Sequence, residues 1–528
     1  MKKNKVLKFV GVLGFISLTF LLLIQCKTGG KNNPMEGNRK VSEDFVADLD
    51  IELIATTDQK QLLPGAATEV YTYKSKLLKG EQDRLTQMED TYLGPIIHVK
   101  PGQKIRVRFI NQLPDESVIH WHGLHIPPEM DGHPMHAIAN SEKYIYEFKV
   151  NNRPGTYWFH PHPDKITGPQ VYYGLAGLFI VEDEKQGLPT GKYDKPLIIQ
   201  DRTFDYDNQL VYVENNRMAR MRGFLGESIL INGKAQQQAQ VDKAPYRFRV
   251  LNGSNARIYK LAWSDGSDVI AIGTGGGLLE KPAQKPYIML APGERIDIWK
   301  DFSNNQTNDE VILKSLAFEP GTTMGMGGMM GGRDQSARSI ENGEEIPLFS
   351  FKVTSEEGPQ KRLPAMLSKI DKINTKEAVN AADPRRFHFA FERMEWVING
   401  ETFEMNEVAD WETVKLNTTE IWEFINGGDA GGMGMMGNMM QMPHPVHIHG
   451  LQFQIIDRDL SGVDAAAWQT VKDGFVDKGW QDTFLLLPGM KTQVIMRFKD
   501  FTGKYIYHCH NLEHEDMGMM RNYEIIKK

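Results

Sequence analysis

The sequence predicts an all-β chain of three Greek-key β-sandwich domains, and three observations predict it. A strand with period-2 alternation occurs three times, as Arg106-Val107-Arg108-Phe109-Ile110-Asn111, Arg247-Phe248-Arg249-Val250-Leu251-Asn252 and Ile421-Trp422-Glu423-Phe424-Ile425-Asn426. Each copy ends in Asn and follows a valine at nearly the same distance, Val99, Val241 and Val414. The intervals between copies, 141 and 174 residues, are domain-sized. The stretches between them carry Gly, Pro and Asn turns and few long helical periods, which points to sandwiches rather than helical layers. A chain of 528 residues accommodates three such units at about 150 residues each.

The chain begins with a different kind of segment. Lys2, Lys3 and Lys5 precede an apolar run from Phe9 to Ile24, and polar Lys27-Thr28-Gly29-Gly30 follows. Residues 1–26 therefore read as a signal segment, because the run is shorter than the ~20 residues of a spanning helix. Leu23-Ile24-Gln25-Cys26 resembles a bacterial lipobox, except that Gln25 is larger than the residue usual before the cysteine. The resemblance implies lipid attachment at Cys26 and an exported protein anchored to a membrane at the periplasmic or cell-envelope face; plain secretion or an uncleaved anchor is the alternative. Residues 27–45, rich in Lys, Gly, Asn and Asp, read as a solvated tether. The net charge of −7, with no long basic run, argues against nucleic acid as a partner. With only two cysteines, one in the leader, the mature body has no disulfide.

The first domain is expected over 46–187, the second over 188–360 and the third over 361–528. Gly155-Thr156-Tyr157-Trp158-Phe159-His160-Pro161-His162 matches Gly503-Lys504-Tyr505-Ile506-Tyr507-His508-Cys509-His510, so the outer two are sister domains. The stretch 163–387 contains no histidine, which makes the middle domain a spacer.

The run from His508 to Met519 carries the chemistry. On a strand, alternation sends the imidazoles of His508 and His510 to one face and the Cys509 thiol to the other, so one cysteine joins two metal sites. Cys509, with His514 five residues on, Met519 five further and a distant His444, is the His2Cys set with a weak axial thioether that suits a blue copper centre. Domain one has Pro161 where domain three has Cys509, and so lacks that centre.

His120-Trp121-His122-Gly123, His160-Pro161-His162, His444-Pro445-Val446-His447-Ile448-His449-Gly450 and His508-Cys509-His510 resemble, in order, the four copper motifs of the multicopper oxidases. The resemblance runs from about residue 45 to the end. It implies cupredoxin-like domains, four coppers, dioxygen as acceptor, and a cluster at the interface of domains one and three. His120 and His447 would hold the type 2 copper. His122, His160, His162, His449, His508 and His510 would hold the type 3 pair, and His444, Cys509, His514 and axial Met519 the type 1 copper, with Met517 and Met520 as other axial candidates. The chain has no twin-arginine pair, so copper is expected to be loaded after export. Asp131 and Glu515 match acidic residues that relay protons in bacterial members, against the simpler reading of two solvated carboxylates. His98, His125, His133, His136 and His388 are expected to be supporting or surface groups.

Domain three carries about a dozen extra residues between its repeated strand and His447, among them Met433, Met435, Met436, Met439, Met440 and Met442 interleaved with glycine. A second run, with Met324, Met326, Met329 and Met330, lies late in domain two. Soft thioethers select Cu(I), and glycine-spaced methionines do not build a dense core. The expected donor is therefore Cu(I), in an enzyme resembling the cuprous oxidases of copper tolerance. Three readings stay open: oxidation of Cu(I), laccase-like or bilirubin-oxidase-like oxidation of small organic donors beneath a flexible apolar cover, and a non-catalytic copper-binding protein.

Overall fold

The strand that recurs in the sequence occupies the same place in each domain of the computed structural model. Lys104–Asn111 pairs parallel with Leu49–Lys60 and antiparallel with Lys143–Lys149. Pro245–Asn252 lies between a parallel Asp194–Arg202 and an antiparallel Arg295–Asp301. Thr418–Asn426 lies between a parallel Arg385–Glu392 and an antiparallel Lys491–Phe498. The terminal asparagine is a buried corner. The Asn111 amide donates to the carbonyls of Asp115 and Ile138, that of Asn252 to Arg257 and Leu290, and that of Asn426 to Met442 and Leu486. A short amide satisfies two carbonyls where the chain leaves the sheet, so Asn recurs for backbone satisfaction rather than chemistry.

The structure describes residues 41–182, 187–213, 217–235, 238–321, 323–324, 340–427 and 440–527. The signal segment, Cys26 and most of the tether lie outside them. Among the described residues the sheets form three pairs, of four and five strands, six and five strands, and five and five strands. No described helix exceeds seven residues. The fold is all-β, and each sandwich encloses its own core. Trp121 and Phe109 centre the first, Phe248 and Phe351 the second, and Trp422, Phe424 and Phe484 the third. Full burial of such side chains contributes about 1.5–3 kcal/mol each.

The domains meet through buried polar contacts. Thr156 of the first donates to Asp297 of the second at 2.7 Å, and Arg295 of the second grips Asp482 of the third at 2.6 and 2.7 Å. The helix Leu512–Asp516 reaches both neighbours. Asp516 accepts from the backbone of Thr167 and Gly168, while Glu513 accepts from Tyr212, Phe224 and Asn255. That helix directly follows Cys509, so the third domain's metal-binding loop is clamped to the other two.

Candidate metal centre

Eight imidazoles converge between the first and third domains. His120 and His122, two apart on Ile119–His122, share a face, while Trp121 between them enters the core. His120 stands opposite His160, and in domain three His447 stands opposite His508. The sister domains thus present the same ladder from two sides.

The nitrogens sort into three groups. His120 Nε2 and His447 Nε2 are 3.2 Å apart. The Nε2 atoms of His162, His449 and His508 converge, with 3.3 Å from His162 to His508 and 3.0 Å from His449 to His508. His122, His160 and His510 form the third group, their ligand atoms within 4.8 Å of one another. His122 Nδ1, His160 Nε2 and both nitrogens of His510 are buried without a hydrogen-bond partner. Orphaned buried nitrogens are costly unless a ligand satisfies them, and clusters of imidazole nitrogen suit copper. The donor set fits.

Burial, with further repulsion between neighbouring imidazoles in most cases, holds His120, His122, His160, His447, His449 and His510 well below the usual histidine range, and brings His162 to about 3. The first six are therefore neutral, which is the metal-binding form.

Asp131 and Glu515 lie inside this space. Asp131 ends the helix Pro128–Asp131, and Gly132 follows at φ 91°, where an added Cβ would strike the Ile119 carbonyl. Only glycine lets the turn press against His120. The Asp131 carbonyl accepts from His120 Nδ1 at 2.7 Å, and its carboxyl Oδ2 lies 2.7 Å from His449 Nδ1. Burial pushes this carboxyl well above the ordinary range. Glu515 lies 3.1 Å from His508 Nδ1 and 3.4 Å from His162 Nε2, with neither oxygen in hydrogen-bond alignment. Burial raises its pKa, but the facing imidazoles of His162 and His508 outweigh that and hold it below the ordinary range. Neither residue is a solvated surface carboxylate.

Sequence reasoning missed the support on the opposite side. The Asp482 carbonyl accepts from His447 Nδ1 at 2.7 Å, its Oδ1 lies 3.1 Å from His122 Nε2, and Thr483 Oγ1 lies 3.0 Å from both imidazoles. Arg295, wholly buried in domain two, neutralises Asp482. Removing one partner of such a pair costs about 3–5 kcal/mol. No local spacing marks these residues, because each lies far from its partners in sequence.

Past the cluster, Cys509 ends the strand Gly503–Cys509 and faces the other way. Its Sγ is 3.4 Å from His444 Nδ1 and 3.6 Å from His514 Nδ1, and accepts from the Asn511 backbone at 3.4 Å. Asn511 also caps the helix Leu512–Asp516, turning His514 back onto the sulfur. Burial pushes the thiol far up and brings His514 to about 3. Metal binding must therefore expel the thiol proton. Met519 is buried in the same core cluster as Cys509, whereas Met520 faces a separate one with Phe403 and Ile506. Met517 is partly buried against the core that holds Cys509.

His444 and His514 are both buried. Trp396 covers them, its ring 5.1 Å from His444 and 4.2 Å from His514.

Of the methionine runs, Met324 and Met440 are opposite partners in a two-stranded ribbon, Thr323–Met324 with Met440–Gln441. Met442 is a core residue, 9% exposed, and its carbonyl binds Asn426, so it departs from the expectation that the run stands apart from the core. Met326, Met329, Met330, Met433, Met435, Met436 and Met439 lie outside the described residues.

The other histidines make separate contacts. His98 binds Glu182, His125 the Gly450 carbonyl and Asp500, and His133 Asn522; His136 packs on Tyr144, and His388 is half-buried.

Two family models described as multicopper oxidase match the chain, over residues 69–186 and 378–528. A multicopper oxidase of Staphylococcus aureus is 32% identical over 457 residues, covering 86% of this chain and 87% of that one. A laccase of Bacillus subtilis is 29% identical, covering 84% and 90%. The crystal structure of the McoA multicopper oxidase from Aquifex aeolicus superposes with a TM-score of 0.74 at 34% identity, covering 91% and 97%. With the paired histidine ladders, the Cys509 centre and these likenesses together, the chain belongs to the multicopper oxidase family, whose members are copper-dependent oxidoreductases that hold four coppers and use dioxygen as acceptor.

Proposed function

We propose that the electron donor is Cu(I), and that the enzyme serves copper tolerance at the cell envelope. The observation that carries this reading is the ribbon pairing Met324 with Met440. It ties together two methionine-rich runs from different domains, immediately before His444. Thioethers bind Cu(I) in preference to harder cations, so two methionine-rich runs joined by backbone pairing just before His444 suit that donor.

In this reading His444, Cys509 and His514 with Met519 hold the type 1 copper. His120 and His447 hold type 2, and the groups His122, His160, His510 and His162, His449, His508 each hold one type 3 copper. Bound copper supplies one-electron transfer at the first site and the capacity for four-electron reduction of dioxygen at the cluster. The protein contributes proton management. Asp131, kept protonated by burial, holds a proton at its carboxyl beside His449. Glu515, kept ionised, accepts one beside His162 and His508. Asp482 and Arg295 hold His122 and His447 in place.

The test replaces Met433, Met435, Met436, Met439 and Met440 by Ser, leaving the core residue Met442 intact. Cu(I) oxidation at low copper should fall about tenfold, equivalent to losing about 1.4 kcal/mol of donor binding, with phenol oxidation equal or faster and the blue colour retained. If Cu(I) turnover is unaffected, or if both activities fall together, the laccase-like reading takes its place; the likeness to the Bacillus laccase favours that alternative.

We also propose that Cys26 carries the lipid. Cys26→Ala should move the protein from the membrane fraction to the soluble one or leave an uncleaved precursor, and lipid labelling that survives the change excludes this residue.

A further inference from the structure

We infer that the turn Ala291-Pro292-Gly293-Glu294 of the middle domain is the wall that orients His510, and that Glu294 is the positioning residue that braces it. The inference rests on reading His510 as a copper ligand, and not on the choice of donor.

Among the eight described imidazoles of the cluster, His510 alone has neither ring nitrogen in a hydrogen bond. Its neighbours are oriented by acceptors: His120 by the Asp131 carbonyl, His447 by the Asp482 carbonyl and His160 by the Pro161 carbonyl. A metal-binding imidazole ordinarily takes its orientation from such a bond at the nitrogen that does not meet the metal. His510 is oriented by shape instead. Its ring lies 5.0 Å from His122, 5.3 Å from His160 and 5.7 Å from Trp158, centroid to centroid. The main chain of Gly293 presses on it as well: a Cβ added there would stand 2.8 Å from both Cδ2 and Nε2 of His510. Ordinary contact between such atoms is at about 3.5–4.0 Å, so only glycine leaves the ring where it is.

The same turn recurs in the other two domains, which isolates what is special here. Lys100-Pro101-Gly102-Gln103 and Leu487-Pro488-Gly489-Met490 stand directly before the strands Lys104–Asn111 and Lys491–Phe498, as Ala291-Pro292-Gly293-Glu294 stands before Arg295–Asp301. Gly102, Gly293 and Gly489 have φ of 87°, 79° and 75°. In each turn the fourth N–H donates to the first carbonyl, at 3.2, 3.0 and 3.0 Å for domains one, two and three. A Cβ at Gly102 would meet nothing nearer than Lys149 Cε at 4.0 Å, and one at Gly489 would strike the Gly462 carbonyl, so of the three glycines only Gly293 faces an imidazole. The fourth side chain braces the turn. Gln103 Oε1 accepts from the Lys100 N–H and Glu294 Oε2 from the Ala291 N–H, both at 2.7 Å, whereas Met490 offers no oxygen. Burial pushes the Glu294 carboxyl up to about 8, so near neutral pH it is an uncharged acceptor, as the Gln103 amide is. Arg295 ties the turn to the cluster's other support: its Nη1 donates to the Gly293 carbonyl at 3.0 Å and to Asp482 Oδ1 at 2.7 Å. The domain without histidine thus supplies both the wall beside His510 and the guanidinium that holds the carboxylate beside His122.

The test uses the full copper-loaded chain and reads copper content and electron paramagnetic resonance rather than turnover. Gly293→Ala should weaken copper binding at His510 about 10- to 100-fold, the usual effect of disturbing what orients a ligand. After dialysis against a chelator it should hold three coppers where the parent chain holds four. The blue absorption should persist, and the remaining type 3 ion, no longer spin-coupled to a partner, should add a paramagnetic signal. Gly102→Ala is the control: it carries the same positive-φ strain with open space around the new methyl group, and should keep four coppers and a silent pair. Glu294→Gln keeps the acceptor and should keep the pair coupled. Glu294→Met, the side chain of the third domain's turn, removes the acceptor and should give the extra signal, and these two variants decide the matter if Gly293→Ala does not fold. A Gln variant as damaged as the Met variant, or a loss in Gly102→Ala equal to that in Gly293→Ala, overturns the inference. His510→Ala separates it from the reading beneath it. If that variant keeps four coppers, His510 is no ligand and the inference falls with the reading; if it loses one while Gly293→Ala and Glu294→Met keep the coupled pair, the ligand stands and the wall is overturned.

Discussion

Cys509→Ser yields a folded protein that has no blue absorption and no oxidase activity above background toward any donor, while the type 2 signal persists in electron paramagnetic resonance. Cys509 joins the two sites: its Sγ faces His444 and His514, and its chain neighbours His508 and His510 face the cluster. A serine hydroxyl keeps an acceptor for the Asn511 N–H, so the loop stays satisfied and the net stability change is about 1 kcal/mol. It does not become an anion in this dry site, and without thiolate sulfur neither the charge-transfer colour nor the sulfur ligand that would link the type 1 copper to the backbone of the neighbouring histidines survives. Absorption and paramagnetic spectra of the copper-loaded variant check this. A variant that stays blue refutes the assignment of the type 1 site. The cluster histidines remain in place, so loss of the type 2 signal as well would mean that Cys509 organises the whole interface rather than one centre.

Asp131→Asn and Glu515→Gln each slow reoxidation of the reduced enzyme by dioxygen by on the order of 10²-fold, the lower end of what a positioned proton donor or acceptor contributes. Reduction by the donor continues near the wild-type rate, because the Asp131 and Glu515 carboxyls face His449, His162 and His508 and neither is hydrogen-bonded to Cys509, His444 or His514. The substitutions preserve shape. The Asp131→Asn variant retains the backbone carbonyl that orients His120, so a fall caused by misplacing that imidazole is separated from a fall caused by losing a proton. The opposite shifts of the two groups give the variants different pH signatures. Asp131 is held protonated by burial, so its loss removes a proton reserve and is felt most as external protons become scarce at higher pH. Glu515 is held ionised by His162 and His508, so its loss removes an acceptor and is felt most at lower pH. Single-turnover reoxidation followed across pH makes the measurement, and unchanged reoxidation in both variants removes them from proton transfer.

The sequence by itself determined the class of fold and the identity of the metal-binding chemistry. Both rest on short-range pattern. Alternation places His120 and His122, or His508 and His510, on one face because successive side chains of a strand point oppositely, and no tertiary information is needed to see it. The recurring strand was legible for the same reason, although the structure supplies its cause: Asn111, Asn252 and Asn426 each satisfy two backbone carbonyls at a corner.

Tertiary structure decided how the imidazoles are grouped and what holds them. Spacing shows that His122 is a ligand type but not that its Nε2 meets Asp482, 360 residues away, leaving Nδ1 without a partner. The outward face of His514 is hidden from the sequence in the same way, because the carbonyl that covers it belongs to Met221 in another domain and a backbone oxygen carries no side-chain signature. Met442 shows the converse. Composition groups it with the glycine-spaced methionines, yet it is packed in the core because its carbonyl is the one that Asn426 requires. Local periodicity reports which face a side chain takes. What that face meets is set by long-range docking of three sandwiches, where burial, ion pairing and backbone satisfaction are resolved together.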